Sequence, residues 1–561
     1  MDNESRRQQY LRRDQELRNE RASHDAKWRD IARHVQPHRE RFLVSGRNRG
    51  ERKDQNIINN GPWRASDINA AGMQAGITSP TRPWWRTTTK DKELGDLESV
   101  KDWCNRLDER LRAILAGSNV YLKFHEMYVD LGGFGVSPML IEEDVQRLIR
   151  ATVYPVGSYA LAANAAGKVD TLFHRVSMTV RQCIEEFGAE NCSERILNAN
   201  QRRRFDEWIE LLHVIEPNPE YVQGRLGPEG MTYRSCWLDV GGNEADGFLR
   251  EQGYHECPFI APRWSTTGED VYGSGYPGEM SLGDCKTLQQ LERRGLQVLD
   301  KISDPPMVGP SSMRDEPVDL MPGGINYEDP ASQGRGFRPA LELSPQALPA
   351  VGNEVARVEL RINKTWKVDL WLMLANDETT GGRMTATEVV ERKSEKVLQL
   401  GPMLERFHDE GLIPFFERVF SVALRYGEIP EPPAEMQGQE LKVEFVSILA
   451  QAQKMVGIQG IRELASFGGQ LAAAHPDVLD KLDLDQMMDT YGEMLGTPPG
   501  LVRSDDQVQA LRAQRAQQAA QAAQMQQVQA AAQSAKTLSQ ADTEGDNALT
   551  RMLDATGPGG R

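Results

Sequence analysis

The string Gly273-Ser-Gly-Tyr-Pro-Gly278 has the G-x-G-x-x-G spacing of a dinucleotide site. That chemistry needs a strand before the string and a helix after it, with the helix N-terminus aimed at a pyrophosphate. A helical pattern does follow from residue 280, but no series of hydrophobic parallel strands surrounds it. Pro277 also removes a backbone N–H where phosphate oxygens would need one. A turn feeding the helix is the better account, and a cytoplasmic nucleotide-binding enzyme built on Gly273–Gly278 is the alternative. Ala166-Gly-Lys-Val169 lacks the upstream glycine and the following Ser/Thr of a phosphate-binding loop. His255-Glu-Cys257 and the pair His34/His38 are metal-binding types. No H-E-x-x-H, second cysteine pair or histidine cluster accompanies them, and Pro37 disturbs the spacing of the pair. The expectation is a chain with no catalytic residue, no metal and no cofactor.

The elements around these residues read as mainly helical. Val355, Val358, Ile362, Trp366 and Leu370 recur at spacings of three and four, which makes one apolar helix face. Arg357, Arg361, Lys364 and Lys367 fall largely off that face. Asn376, Asp377, Glu378, Thr379, Thr380, Gly381, Gly382 and Arg383 follow as a small polar stretch that suits an exposed loop. Thr385-Ala-Thr-Glu388 fits a capping box. The next pattern runs through Val389, Val390, Val397, Leu398 and Leu404, with Pro402 placed to kink it.

Helices are also expected over 4–36, with Leu17, Trp28, Ile31 and Val35 packing, over 64–77, and over 97–131, with Trp103, Leu107, Leu111 and Leu115. At 280–303, Leu282, Cys285, Leu288, Leu291, Val298 and Ile302 share a face; 449–495 is helical, broken near Pro476. Short alternating or β-branched runs at 136–142, 148–154, 169–176, 212–216, 231–240 and 248–260 read as strands of an antiparallel or mixed α+β domain. The polar run 44–60 is a loop. The Pro- and Gly-rich section 304–350 is too long for a bare connection, so it is a small protruding module or a partner-binding loop. Residues 507–536 hold 11 Gln and 11 Ala, a composition that favours a helix of roughly 45 Å, with disorder as its rival.

At 561 residues the chain exceeds the size at which one core keeps growing, so several domains are expected. With 26% charged residues and no stretch of about 20 apolar ones, it reads as soluble, with no membrane span. The first 20 residues lack the apolar core of a signal peptide, which points to synthesis in a cytoplasm. The six cysteines, at 104, 183, 192, 236, 257 and 285, are scattered and read as free thiols. A net charge of -16 argues against a broad DNA-gripping surface. Residues 1–53 carry 15 Lys/Arg against 9 Asp/Glu, which reads as a solvated amphipathic helix with basic bias rather than a nucleic-acid arm.

Four blocks carry a resemblance. They are Gly72-Met-Gln-Ala-Gly-Ile-Thr-Ser-Pro-Thr-Arg-Pro-Trp-Trp85, Tyr272-Gly-Ser-Gly-Tyr-Pro-Gly-Glu-Met-Ser-Leu-Gly-Asp-Cys-Lys286, Arg383-Met-Thr-Ala-Thr-Glu-Val-Val-Glu-Arg392 running on to Leu400-Gly-Pro-Met-Leu-Glu405, and Leu441-Lys-Val-Glu-Phe-Val-Ser-Ile-Leu-Ala-Gln-Ala-Gln453. Together, in family order over roughly Ala26 to Arg515, they resemble the portal (head-to-tail connector) family of short-tailed bacteriophages.

The resemblance implies an α+β, mainly helical portal fold in a homo-oligomeric ring of twelve. Its parts would be a wing at 1–270 and 384–448, a first stem helix with its lead-in turn at 271–303, and a clip at 304–351. A second stem helix would follow at 352–375, a tunnel loop at 376–383, a crown at 449–500, and a barrel with a mobile tail at 501–561. It also implies a structural protein rather than an enzyme, at the portal vertex of the virion between capsid and tail, assembled in the bacterial host cytoplasm. Double-stranded DNA would pass through the channel without sequence specificity. The partners implied are the terminase large subunit, a tail adaptor, and the major capsid and scaffold proteins. Another phage head-tail adaptor is a further alternative, disfavoured by the length of the chain.

Overall fold

A computed structural model of the chain describes residues 5–39, 41–42, 53–91, 94–95, 97–243, 247–305, 307–308, 338–339, 347–375, 401–446, 460–471, 481–495, 505–539 and 551. Ser5 accepts the Gln8 N–H while the Gln8 side chain accepts the Ser5 N–H, a capping box that opens helix α1 (Arg6–His34). Leu17, Trp28, Ile31 and Val35 are buried, as their spacing requires. The basic bias of this helix is not merely solvated, however. Arg7 donates to the carbonyls of Asp239 and Gly242 at 2.8 Å each, Arg21 donates to those of Gly157 and Tyr159, and buried Asp14 pairs with Arg175 at 2.6 Å. A guanidinium has five donors, so it can bind carbonyls near strand ends and still, as in Arg21, pair with a carboxylate, here Asp25 at 2.9 Å.

Helix α1 lies across a five-stranded antiparallel sheet of order β4-β5-β6-β7-β8: Tyr159–Ala163, Val169–Thr179, Trp208–Pro217, Tyr233–Asp239 and Arg250–Tyr254. Alternation sends Leu212 and Val214 to the face covered by Tyr10 and Leu17 of α1. Ile209 and Leu211 point to the opposite face, under α5 (Val180–Phe187) and α6 (Glu194–Gln201). The β4–β5 turn explains Ala166-Gly-Lys: Asn164 Oδ1 accepts the N–H groups of Ala166 and Lys168, and Gly167 takes φ +76°. It is a hairpin turn.

The larger core gathers α2 (Gly61–Ile77), α3 (Glu98–Gly117), α4 (Val120–Phe134), α10 (Gly401–Phe407) and α11 (Ile413–Arg425). With them lie two small sheets. In one, β2 (Met139–Asp144) pairs with β3 (Leu148–Val153) and β9 (Phe259–Ile260); in the other, β1 (Trp85–Thr89) pairs with β12 (Leu441–Phe445). Beyond the core, α7 (Pro277–Ser303) packs along α8 (Ala347–Thr365), followed by α9 (Val368–Ala375). The short pair β10 (Met307–Val308) and β11 (Arg338–Pro339) joins the ends of the intervening section. Helical residues at 460–471, α12 (Leu484–Leu495) and α13 (Asp505–Ser539) complete the described chain.

Several expectations need correction. The single helix read over 97–131 is two. Ser118 Oγ donates to Leu115 O and accepts the Val120 N–H, and Asn119 bonds both backbone groups of Ala151, so the chain turns to meet β3. The helix read over 352–375 starts earlier, at Ala347, and breaks at Lys367, where φ is +56°. Strands β1, β4 and β12 have no counterpart in the sequence reading. The irregular helix near Pro402 shows its wide turn further on, at His408–Leu412, because the Pro414 ring would strike the Glu410 carbonyl in a regular helix. The capping box at 385–388 and the break near Pro476 lie outside the described residues, as does part of the loop read at 44–60.

One pair of groups makes the sheet acid-sensitive. His174 and His213 face each other across β5 and β6, stacked on Tyr154 (3.7 Å) and Trp237 (4.0 Å), both buried. Burial pushes His213 down to about 3, helped by Arg250, and holds His174 well below its usual range. The unfolded chain takes up these protons near pH 6.5 and the folded one does not, so stability is complete above that pH and falls as pH drops below it. For one such group the loss is about 1.4 kcal/mol per pH unit. Urea titrations at pH 7 and pH 5 check this, and His213→Gln is expected to flatten the difference.

Candidate functional site

The α7/α8 pair and the helix that follows it form the platform for the loop read at Asn376–Arg383. Cys285 and Leu288 of α7 bury against Val358 and Ile362 of α8 and Trp366 just beyond its end, the face that the three-and-four spacing marks. Ser281 Oγ accepts Trp366 Nε1–H at 3.0 Å and donates to Pro277 O at 2.7 Å. Segment 58–61 clasps the pair from the side: Gln289 accepts the N–H groups of Ile58 and Asn59, and Asn59 Nδ2 donates to Glu292 and Glu359. Farther out on α7 the apolar row loses its cover, with Leu296 and Leu299 exposed, and Leu360 is exposed on the other side of α8 from Val358 and Ile362.

The break at Lys367 lets two tryptophans point to different anchors. Trp366 turns to α7, while Trp371 on α9 donates its ring N–H to Asn69 Oδ1 at 2.8 Å. A Cβ at Gly72 would sit 2.4 Å from the Trp371 ring, so α9 can lie on α2 only with glycine there. Ala375 ends α9, and Asn376, Asp377, Glu378, Thr379, Thr380, Gly381, Gly382 and Arg383 lie outside the described residues. The chain re-enters at Gly401, where Met403, Leu404 and Phe407 bury in the same core as Leu370 and Trp371. Both ends of 376–400 therefore spring from one packed cluster.

The sequence-marked cations are placed unevenly. Arg361 donates through Nε and Nη2 to Asp284 of α7 at 3.1 and 2.8 Å, which ties the two helices. Arg357 pairs with Glu354 of its own helix at 2.8 Å. Lys364 is exposed, and Lys367 sits at the break.

A second anchor escaped sequence reading. Buried Arg263 meets Glu410 of the wide turn through its backbone N–H, Nε and Nη2 at 3.0, 3.0 and 2.7 Å. Its guanidinium also donates to Asp270 O and Gly167 O at 2.8 Å each. It joins the returning chain, the approach to α7 and the β4–β5 hairpin.

The glycine string proves to be a packing device. A Cβ at Gly273 would lie 1.9 Å from Gly135 O, and one at Gly278 would lie 2.1 Å from Gly133 O. Glu279 accepts the Gly275 N–H at 2.8 Å and pairs with Lys27, so the protein's own carboxylate occupies this helix N-terminus. No strand runs directly into the string. His34 Nδ1 meets Asp30 O, and His38 packs edge-on to Trp63. Among the described residues, no group of three or more His, Cys, Asp or Glu side chains could hold a metal. The six cysteines are free, and burial pushes Cys285 up to about 12, far from a reactive thiolate.

A family model described as bacteriophage head to tail connecting protein matches residues 7–502. The chain belongs to that family. It is 40% identical over 554 residues to the portal protein of Salmonella phage epsilon15, covering 99% of both chains. It is 38% identical over 540 residues to the probable portal protein of Bordetella phage BPP-1, covering 96% of both. Among solved structures, a chain from the neck of an empty gene transfer agent particle, computed with C6 symmetry, matches with a TM-score of 0.32 at 12% identity, over 79% of this chain and 91% of that one. In this head-to-tail connecting chain, no described helix is long and apolar enough to cross a membrane.

Removing Arg263 leaves the Glu410 carboxylate with Arg406 alone, at 3.2 Å, and strips the Asp270 and Gly167 carbonyls of their donor. Arg263→Ala is expected to lower unfolding stability by about 3 kcal/mol, while Arg263→Met with Glu410→Met recovers most of it. Urea denaturation followed by tryptophan fluorescence measures both.

Proposed function

We propose that this chain acts as a portal protein, closing as twelve copies into a ring whose axial channel passes double-stranded DNA during packaging and ejection. The observation that carries the reading is end-to-end similarity to two portal proteins, with 99% of the chain aligned to one of them. In this assignment α1 through β9, with α10, α11 and β12, is wing. Helices α7 and α8–α9 are the stem, 304–351 is the clip, 449–500 the crown, and 501–561 the barrel.

Physical chemistry supports the assignment. The exposed Leu296, Leu299 and Leu360 need a cover that neighbouring stems would supply. Helix α13 exposes Met525 and Val528, and among the described residues it is tied to α12 by an Arg512–Asp485 pair. Head-to-tail contacts close such surfaces into rings. A net charge of -16 per copy suits a conduit, because strong phosphate attraction at fixed points would brake the sliding duplex.

Asn376–Arg383 is the loop proposed to meet DNA, within the stretch 376–400 whose described flanks, Leu370 and Trp371 before it and Met403 to Phe407 after it, share one core, with Arg357, Arg361, Lys364 and Lys367 as the stem cations nearest to the channel question. Terminase, tail adaptor, capsid and scaffold proteins are the proposed partners at the portal vertex, and the ring itself carries out no chemistry.

Two measurements test this. Light scattering after size exclusion is expected to give about 755 kDa for twelve 62.9 kDa copies. A chain that stays monomeric or dimeric at every salt concentration overturns the ring. Replacing Asp377–Gly382 by a Gly/Ser segment of equal length is expected to leave rings and procapsids intact while lowering the yield of full heads. Wild-type yields would remove the loop from the mechanism.

A further inference from the structure

The turn after α6 carries a residue its backbone does not favour. Arg204 N–H bonds to Ala199 O and Arg203 N–H bonds to Asn200 O, both at 2.9 Å, the closure that usually places glycine at the left-handed position. Here that position is Arg203, with φ +58°. An L side chain is strained there, so a guanidinium stands where the fold alone would take glycine. Arg202, Arg203 and Arg204 are all exposed, with Phe205 and Trp208 exposed beside them. Arg204 lies 3.6 Å from Glu207, whereas Arg202 and Arg203 make no ion pair among the described residues. Asp206 and Glu207 keep the local charge too low for a phosphate track. Arginine with aromatic rings is instead the composition of a protein-binding centre.

The same chain presents a complementary surface. After α11, Leu424 and Tyr426 are exposed, Gly427 turns with φ +70°, and an acidic proline-rich loop follows. This loop is held in shape. Trp103 Nε1 donates to Pro430 O at 3.0 Å, Arg110 pairs with Glu428, and Lys90 pairs with Glu440. Glu431 and Glu435 remain exposed and make no ion pair among the described residues. Among the described residues, nothing covers either surface.

We propose that the Arg202–Trp208 turn of one copy docks on the Leu424–Glu435 surface of a second copy. The contact is heterologous, so it repeats around a closed ring, and its opposite charges fix the register between copies. It rests on the ring reading above and assigns one of that ring's contacts.

Charge reversal tests it in the full chain, with assembly read by light scattering against salt. Arg202→Glu with Arg203→Glu, or Glu431→Lys with Glu435→Lys, is expected to lower the assembled fraction at least tenfold at physiological salt. Combining the four changes is expected to restore it. Arg203→Gly guards against a folding defect: its melting temperature should be unchanged or raised while assembly weakens. Oxidation of Arg203→Cys with Glu431→Cys should give a ladder of cross-linked copies. Wild-type rings that tolerate both reversals and give no ladder overturn this contact and leave the ring reading standing. A wild-type chain that never assembles overturns both. Intact rings that lose only retention of a 60-base single-stranded oligonucleotide would make the turn a nucleic-acid surface and overturn the proposal.

Discussion

Trp371 can lie across α2 only because residue 72 has no side chain. A methyl group there would meet the indole at 2.4 Å, well inside any real carbon contact. The slot continues at Gly132, where an added Cβ would lie 2.8 Å from Asn69 and 3.2 Å from Trp366. Three helices and two indoles are thus locked by two absent side chains and one amide, Asn69, which accepts the Trp371 N–H. From this contact α9 takes its direction, and from α9 follow the point where the chain leaves the core and the angle between the α7/α8 pair and the rest.

Because the chain departs from that cluster and also returns to it, any load on residues 376–400 is delivered to a close-packed interior. Such interiors compress little and transmit displacement. The Arg263 anchor extends the same logic outward, since Glu410 stands three residues beyond Phe407 and bonds through Arg263 to the approach of α7 and to the β4–β5 turn. The returning chain at Glu410, the approach to α7 and the sheet are therefore connected by hydrogen bonds to one buried guanidinium. Asp284–Arg361 adds a further tie between the two long helices, though with both side chains partly exposed it counts only as a solvent-screened surface pair.

What could be read from sequence follows the range of the interaction. The apolar face from Val358 to Leu370 and the packing positions of α1 are local periodicities, and they are buried as read. The glycine string was legible as a turn, although its reason, a backbone passing within contact of Gly133 and Gly135, was not. The break at Lys367 carries no signal, because a left-handed lysine is held by the two tryptophans beside it rather than by its own preference. Strand β1 pairs with a strand more than 350 residues away, and Arg263 finds Glu410 across 147; no local window contains either. The chain's membership of its family was legible because whole blocks of residues recur in order. The stretch proposed to touch DNA was legible only as small and polar.

The N-terminal helix has a consequence in time. As the chain leaves the ribosome, α1 must wait for its carbonyl partners at Asp239 and Gly242, which are more than 230 residues behind it. At typical elongation rates that delay is roughly ten to fifty seconds. Trp28 and Arg21 wait a shorter time, for Phe134 and for Gly157 and Tyr159, whereas Arg7 waits for the whole interval. The strap that finally spans the sheet is thus made well before the strands it docks on. Its dense charge keeps it soluble through the wait, a task of nascent-chain survival that the finished fold no longer displays.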